Sequence, residues 1–371
     1  MAAALSLNPH TYMFYLAKLG VGEVPFLTAP VDFGQLFCQH KFALATAALG
    51  RSTDCAIYIP FDATVGMLLP REAVRRPPAA RLEAKLPYDY VFNPGLIGRR
   101  PDGTYTTTLQ PGDDLLIAPR TSEFKWGVST TPLILLGQDY RFKRLVGEVE
   151  VTDPWSREDV RLFSFGSELC LYSSLIYDYQ IGGGHMTYCS WRLARQAVDT
   201  VPPYGRPKGP EKNWGFFDGG QGPAPLAIYS HSPTWTVINA VTGAELIKAQ
   251  MPAAVPALNG GAPPLWWRGK WWSFCHTPVS YATYVVTFEN GSWRPTAWGR
   301  LMGRTDLGHE VNFVFVTGAV ARGDTHIILS AGLNDTETVF FEFTAGELDG
   351  CLRNIHCSVD KDGLCHLSDS E

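Results

Sequence analysis

The sequence predicts an all-β chain folded as a five-bladed β-propeller, preceded by a mixed or helical N-terminal extension. Two observations lead to this prediction. One short pattern occurs five times between about residues 93 and 343, and fixed periods of roughly fifty residues are typical of propeller blades. The apolar runs within the pattern are also rich in Tyr, Trp, Phe, Val and Thr, the residue types that fit a pleated sheet.

Each copy has a polar or glycine-containing start, an apolar run, a tight turn built on Gly or Asp, and a second apolar run. Such a pair of runs predicts a β-hairpin. The paired runs are 93–97 with 104–109, 158–163 with 169–173, 211–214 with 226–231, 260–263 with 271–276, and 316–319 with 326–330. The alternative fold is a two-sheet sandwich whose hairpins resemble one another by coincidence.

The pattern divides the chain into three segments. We expect an extension over residues 1–85, the propeller over 86–348, and a polar C-terminal tail over 349–371 that frays. Helical periodicity is confined to the extension, around Thr11–Leu19 and Phe37–Leu49.

Composition argues against several classes of function. The net charge of -5 is mild and no basic stripe is interleaved with aromatic residues, so nucleic acid is not an expected partner. No apolar stretch reaches the roughly eighteen residues of a membrane-spanning helix. Residues 1–20 lack the basic and apolar regions of a secretory signal, because Asn8, Pro9, His10 and Lys18 interrupt them. The sequence therefore predicts a cytoplasmic protein without a transmembrane segment.

The 8 cysteines do not predict a metal site. Cys170 and Cys275 fall in predicted strands, where a reduced thiol behaves as a small buried hydrophobe. Cys351, Cys357 and Cys365 lie close together in the tail, but their spacing matches no usual zinc pattern. Surface thiols and a local disulfide both remain open for these three, and no cofactor is expected.

In a propeller the innermost strand of each blade lines the central channel, so the starts of the five copies converge on one space. This places a polar ring around that space, made of Asn93, Glu158, Asp159, Arg161, Glu211, Lys212, Asn213, Gly260, Gly261, Thr317 and Gly318. The aromatic neighbours of the ring are Trp214, Trp235, Trp266 and Trp267. Such a site suits a sugar, because hydroxyls need charged or amide partners while the apolar face of a pyranose stacks on indole.

Four motifs resemble the successive blade motifs of a known family of propeller enzymes, the β-mannoside phosphorylases and β-1,2-mannosyltransferases, together with propellers that bear a Glu-Lys-Asn-Trp signature. The motifs are Glu158-Asp159-x-Arg161, Glu211-Lys212-Asn213-Trp214, Gly260-Gly261-Ala262-Pro263 with His276 behind it, and Ser330-Ala331-Gly332-x-Asn334-Asp335. The resemblance covers about residues 88–345. One departure is that the family's Asp-Pro-Arg is replaced by Asp159-Val160-Arg161, while Asp153-Pro154 lies six residues earlier.

The resemblance implies that Asp159 is the single essential carboxylate. It would act as general acid in an inverting phosphorylase, where phosphate attacks the anomeric carbon, or as base toward the acceptor hydroxyl in a transferase. Phosphate needs cations in a partly desolvated site, and the candidates are Lys212, Arg161 and His231. The residues expected to bind the substrate are Asn93, Glu211, Asn213, Trp214, His276 and Asp335. The expected partners are an oligosaccharide or glycan and phosphate or a sugar phosphate.

Each candidate residue also has a purely structural interpretation. Asp159 and Arg161 could form a salt bridge between blades, and Lys212 could pair with a neighbouring carboxylate. His231 and His276 could bind backbone groups, and Asn334-Asp335 could form a type I′ turn.

Two other functions stay open. An inverting glycoside hydrolase would need a second carboxylate, for which Glu158, Glu211 and Asp335 are available. A sugar-binding propeller without catalytic activity would need none.

Overall fold

The computed structural model describes nine segments of the chain: 78–82, 90–122, 130–149, 155–178, 185–195, 213–220, 222–307, 311–359 and 365–369. The chain divides into two compact units, residues 1–71 and 72–371, and all described residues belong to the second. The helices expected at Thr11–Leu19 and Phe37–Leu49 lie outside the described residues, as does most of the expected extension.

Blade 1 follows a two-residue strand, β1 (Ala80–Arg81). Its sheet has the strand order β3-β2-β5-β6-β7, and the short strand β4 leaves it to pair with the last blade. The bounds are β2 (Tyr90–Arg99), β3 (Tyr105–Thr106), β4 (Thr108–Leu109), β5 (Asp114–Ser122), β6 (Pro132–Leu136) and β7 (Phe142–Glu148).

Blades 2 and 3 follow as antiparallel sheets with three and four described strands. Blade 2 contains β8 (Trp155–Phe165), β9 (Glu168–Asp178) and β10 (His185–Leu193). Blade 3 contains β11 (Gly215–Phe217), β12 (Leu226–Ser230), β13 (Thr234–Asn239) and β14 (Glu245–Gln250).

Blades 4 and 5 complete the set. Blade 4 contains β15 (Asn259–Gly260), β16 (Leu265–Trp267), β17 (Lys270–His276), β18 (Thr283–Phe288) and β19 (Pro295–Met302). Blade 5 contains β20 (Val314–Arg322), β21 (His326–Leu333) and β22 (Glu337–Thr344).

Strands on the inner side of neighbouring blades contact one another in a closed ring. Strand β2 contacts β8 on one side and β20 on the other, β8 contacts β11, β12 contacts β15, and β16 contacts β20. Blade 5 also takes up β1, with Ala80 opposite Phe340, so the first described strand pairs with the last blade. The five-bladed propeller predicted from the sequence is therefore confirmed, and the sandwich alternative is wrong.

Four of the five predicted hairpins are confirmed. They are formed by β8 with β9, β11 with β12, β16 with β17, and β20 with β21. The first is confirmed only next to its turn, where β3 pairs with Gly98 and Arg99 at the end of β2, while most of β2 pairs with β5 instead. The threonine-rich run breaks into β3 and β4 where Thr106 Oγ1 bonds both the backbone carbonyl and the N–H of Thr108, at 3.0 and 3.1 Å. Local side-chain bonds of this kind compete with a strand ladder.

The described residues include two short helices, α1 (Arg304–Leu307) and α2 (Ala345–Cys351). Helix α2 begins with a capping box in which Thr344 and Glu347 satisfy each other's backbone N–H. Neither helix is long and apolar enough to cross a membrane. The cytoplasmic location expected from the sequence stays a prediction.

The C-terminal segment differs from its prediction. Instead of fraying, it forms β23 (Arg353–Val359) and β24 (Cys365–Asp369), which pair as an antiparallel hairpin. Strand β23 pairs with β19 and β24 pairs with β14, so the hairpin joins the outer strands of blades 3 and 4 into one continuous sheet. The polar composition that suggested fraying is typical of strands with one exposed face.

Neighbouring inner strands approach so closely that a side chain has no room between them. A Cβ at Gly260 would lie 2.2 Å from the carbonyl oxygen of Asn213, and one at Gly95 would lie 2.5 Å from that of Val160. These distances are well below ordinary van der Waals contact, so glycine is required at both positions.

We expect the Gly260→Ala substitution to destabilise the protein by about 1–3 kcal/mol, because the backbone of blade 3 must move to accept the new methyl group. Gly147→Ala is the control, since a Cβ there meets nothing within 4 Å. Urea unfolding followed by far-ultraviolet circular dichroism measures both. Equal unfolding midpoints for the two variants would contradict the close approach of blades 3 and 4.

Candidate functional site

Three of the sequence-predicted residues, Asn93, Asp159 and Asn213, lie at one end of the ring. We define the first mouth as the end where the inner strands begin, marked by Asn93, Asp159 and Asn213. The turns that follow β17 and β21 open at the same end, because these strands run antiparallel to the inner strands of their blades. We define the second mouth as the opposite end, marked by Phe163 and Phe217.

Blades 1, 2 and 3 each present a polar residue in the left-handed backbone conformation near the start of the inner strand. The φ angles are 48° at Asn93, 50° at Asp159 and 64° at Asn213. Asn and Asp accept this conformation more readily than other residues that carry a Cβ. In blades 1 and 2 the strand pairing slips at these residues, which marks a β-bulge. A bulge turns a side chain away from the face on which the regular alternation of the strand would place it.

A shared hydrogen-bond donor links carboxylates from two blades. Asn93 Nδ2 donates to Asp159 Oδ1 at 3.0 Å and to Asp335 Oδ1 at 3.4 Å. Asp335 lies in the turn between β21 and β22, where Asn334 and Asp335 have φ angles of 55° and 53° and Thr336 N donates to Leu333 O at 2.9 Å. This is the backbone of a type I′ turn, so the turn interpretation is confirmed, and the turn also delivers Asp335 to the first mouth.

Arg120 belongs to this cluster, although it was missed from the sequence. Its Nη1 lies 3.4 Å from Glu158 Oε1 and 3.9 Å from Asp159 Oδ1, and its guanidinium lies over the ring of Phe92. Arg120 is opposite Phe92 in the pairing of β2 with β5. The sequence does not indicate Arg120, because it lies on β5, which the predicted first hairpin does not include.

Tyr281 is a second member that was missed, and it comes from blade 4. Burial raises the pKa of its hydroxyl, and the charges of Asp335, Asp159 and Glu158 raise it further. The Tyr281 ring stacks on His276 at 5.1 Å between centroids. His276 itself is only 2% exposed, so it supports Tyr281 and does not reach a substrate directly as the sequence predicted. Only the folded turn between β17 and β18 brings Tyr281 to the mouth.

Arg161 does not bind phosphate directly, which corrects its predicted role. It is fully buried, and its Nη2 donates to Asn213 Oδ1 at 2.9 Å. Its guanidinium also lies over the rings of Tyr172 and Phe315, at 5.5 and 5.3 Å. Arg161 therefore holds Asn213 of the next blade in place from below the mouth.

His231 does not supply a cation either. Burial lowers the pKa of its imidazole to about 3, so the ring is neutral at neutral pH. Its Nε2 lies 3.0 Å from Ser273 Oγ, a hydrogen bond between blades 3 and 4. The predicted role in phosphate binding is wrong, because a neutral buried ring does not neutralise an anion.

The predicted stacking of Trp214 on a sugar is also wrong. Trp214 is 1% exposed and packs against Phe216 and Tyr229 between blades. Trp235 and Trp267 are likewise buried. Glu211 and Lys212 lie outside the described residues, so their roles stay predictions.

The prediction that Cys170 and Cys275 are buried, reduced thiols is confirmed. Cys170 and Cys275 are buried and free, and burial raises the pKa of the Cys170 thiol to about 12. Cys351 is free as well. Among the described residues, no group of three or more His, Cys, Asp or Glu side chains could hold a metal ion.

Comparison with known proteins gives similarity in structure alone. No protein-family model matches the chain, and no curated protein sequence matches it. Solved structures that resemble it include β-1,2-mannobiose phosphorylase from Listeria innocua in complex with β-1,2-mannobiose, at 12% identity and a TM-score of 0.49, covering 73% of this chain and 95% of that one. A mannose phosphorylase from Leishmania mexicana, in complex with phosphate ion, has 12% identity and a TM-score of 0.47, covering 86% and 97%.

A third similar structure is a GH43_1 enzyme from Xanthomonas citri, with 9% identity and a TM-score of 0.45, covering 77% of this chain and 93% of that chain. Similarities this low carry no argument about the reaction of the present chain. Its propeller fold is established by its own strand pairing.

The buried imidazole of His231 predicts a pH dependence of stability. Its folded-state pKa of about 3 lies below the ordinary value of 6.5, so the unfolded chain takes up a proton first as the pH falls. Stability is then lost between pH 6.5 and 3, by about 1.4 kcal/mol per pH unit from this group. We expect His231→Gln to reduce the slope of the unfolding free energy against pH by that amount, measured by urea unfolding at a series of pH values.

The exposed histidine His356 provides the control, because His356→Gln removes an imidazole without removing a buried one. Its curve should run parallel to that of the native protein. A His231→Gln variant with the native slope would contradict the burial of a neutral imidazole.

Proposed function

We propose that the protein is a carbohydrate-active enzyme that transfers a glycosyl unit, with inversion, to or from phosphate or a saccharide acceptor at the first mouth. The observation that carries this proposal is the position of Asp159, a carboxylate held by Asn93 of one blade beside Asp335 of another. The motif resemblance suggests a mannosyl unit.

The setting of Asp159 suits a general acid. Its side chain is 15% exposed, so it is largely desolvated but still reachable from the mouth. Asn93 Nδ2 donates to Oδ1, which fixes the plane of the carboxyl group and leaves Oδ2 for a substrate oxygen. The left-handed backbone at Asp159 sets this direction before any substrate binds.

In the proposed reaction, protonated Asp159 gives its proton to the glycosidic oxygen as the bond from that oxygen to the anomeric carbon breaks. A phosphate oxygen attacks the opposite face of the same carbon and forms the new bond. Phosphate serves as its own nucleophile, so no second carboxylate base is required. In the reverse direction, the Asp159 carboxylate takes the proton of the acceptor hydroxyl while phosphate leaves.

The neighbours of Asp159 offer the groups that sugar hydroxyls need. Asp335 accepts hydrogen bonds, Asn213 has an amide fixed by Arg161, and the Tyr281 hydroxyl can donate. Because these groups come from blades 2 to 5, one sugar ring at the mouth could contact several blades at once.

Phosphate would need cations at the same mouth. Arg120 is the described cation that ion-pairs with Glu158 and Asp159, and its side chain is 14% exposed. Lys212, the other candidate, precedes Asn213 directly in the sequence. Together they would offset the acidic surroundings of a phosphate ion.

An inverting glycoside hydrolase is the second candidate, favoured by the presence of Glu158 and Asp335 beside Asp159. Inverting hydrolases separate their two carboxyls by roughly 6.5–9.5 Å to leave room for water. One oxygen of Asp159 and one of Asp335 accept from the same Asn93 Nδ2, at 3.0 and 3.4 Å. The two oxygens therefore cannot be farther apart than these two distances added together. This spacing argues against Asp335 as the base for water, which leaves Glu158 and Glu211 as the other candidates for that role.

The test is to incubate the protein with β-mannooligosaccharides, with and without phosphate, and to measure sugar 1-phosphate and free sugar. We expect sugar 1-phosphate that appears only with phosphate, and a loss of at least about 100-fold in kcat for Asp159→Asn. Asp139→Asn is the control, because Asp139 is an exposed carboxylate in the turn after β6, away from the first mouth.

Three results would decide against this proposal. Free sugar formed without phosphate would indicate the hydrolase. Saccharide binding without turnover would indicate a non-catalytic sugar-binding propeller. Full activity in Asp159→Asn would remove the carboxylate from the mechanism.

A further inference from the structure

We propose that the second mouth holds a separate binding site for a neutral saccharide unit. A cavity of about 310 Å³ opens there, lined by the ends of the inner strands of blades 2 to 4 and by the turns that follow them. This volume lies at the small end of the range for ligand sites, about 300–1,000 Å³, and suits one or two sugar rings.

Aromatic side chains form the apolar part of the cavity. Trp266 is 39% exposed, although its neighbours Leu265 and Trp267 on the same strand are buried. The Trp266 indole packs edge to face on that of Trp271, with 5.6 Å between the ring centroids, and this contact fixes its orientation at the rim of the cavity. Phe217 packs against Trp271 at 4.8 Å and lines the same cavity. The exposed indole is the kind of surface on which the apolar face of a pyranose stacks.

Polar groups beside the aromatic wall are already held in place. Asp218 accepts from Gly166 N and Gly220 N, both at 2.8 Å, so its carboxylate is fixed and each oxygen keeps a lone pair. Asn290 Oδ1 accepts from Trp271 Nε1 at 3.2 Å. This bond orients the Asn290 amide so that its N–H groups point away from Trp271. A ligand with hydroxyls would find one fixed acceptor and one fixed donor next to the indole.

The charge of the lining selects against anions. Asp218 is a carboxylate, and no Lys, Arg or His lines the described part of the cavity. A phosphate or a uronic acid would be repelled, since nothing offsets its charge. A neutral sugar meets the requirements of both the aromatic and the polar groups.

This site is independent of the proposed reaction. Phe163 lines the cavity four residues after Asp159 on β8, about 13 Å farther along the strand. The two mouths therefore lie at opposite ends of the same inner strands. Saccharide binding at the second mouth needs none of the residues assigned to the first.

The test measures binding of mannobiose, cellobiose and xylobiose by isothermal titration calorimetry and saturation-transfer NMR, using Asp159→Asn protein so that no substrate is consumed. We expect at least one disaccharide to bind to the Asp159→Asn protein. Its affinity should fall at least about tenfold when Trp266→Ala is combined with Asp159→Asn. Leu145→Ala, which shortens an exposed apolar side chain on blade 1, is the matched control and should bind normally.

Charge is tested with glucose and glucuronate. Glucuronate should bind at least about tenfold more weakly than glucose, and Asp218→Asn should narrow that difference. Asn290→Ala gives a further variant if Asp218→Asn does not fold.

The proposal is overturned if no disaccharide binds, or if Trp266→Ala and Asn290→Ala both bind all three as tightly as their parent. Failure of the proposed reaction has a different signature, because it changes turnover and leaves binding at the second mouth intact.

Discussion

The whole arrangement depends on direct backbone contact between neighbouring inner strands. Glycine makes this contact possible where a methyl group would collide with the next blade: Gly95 with Val160, Gly260 with Asn213, and Gly318 with Leu96. Because the blades touch at these three interfaces without an intervening side chain, the inner strands there stay close enough for short side chains to bridge them. A looser ring would leave Asn93 and Asp159 out of hydrogen-bond reach.

Backbone geometry at the strand starts then determines what the ring presents. The left-handed bulges of blades 1 and 2 take Asn93 and Asp159 out of the pleat, while Arg161, two residues later, points into the interior and holds Asn213. One strand thus supplies a largely buried carboxylate that is still reachable from the mouth and a fully buried cation. An amide oxygen and two aromatic faces replace part of the water that the fully buried guanidinium has lost, while its Nε has no hydrogen-bond partner among the residues that the structure describes.

Sequence periodicity predicts the blades well, because tight turns and strand-forming runs are local properties. It also brings Asn93, Asp159 and Asn213 to one mouth, since equivalent repeat positions must converge in a ring, whereas Asp335 lies outside the repeat starts and is indicated only by the motif resemblance. What it misses depends on long-range pairing. Arg120 is recognisable only once β2 is known to pair with β5, and Tyr281 only once its turn is folded over blade 5. Exposure is equally hidden from the sequence, which predicts ligand-binding roles for Trp214 and His231 although both residues are buried.

The pairing of β1 with β22 bears on how the chain folds. Ala80 and Phe340 are opposite each other in one sheet, yet they stand at the two ends of the propeller sequence. The last blade cannot be completed until nearly all of the propeller has been synthesised, and closing so long a loop has a high entropic cost. Chains with such distant contacts fold slowly. An incomplete chain would therefore carry open blade edges, so we expect the ring to assemble as a late and cooperative step.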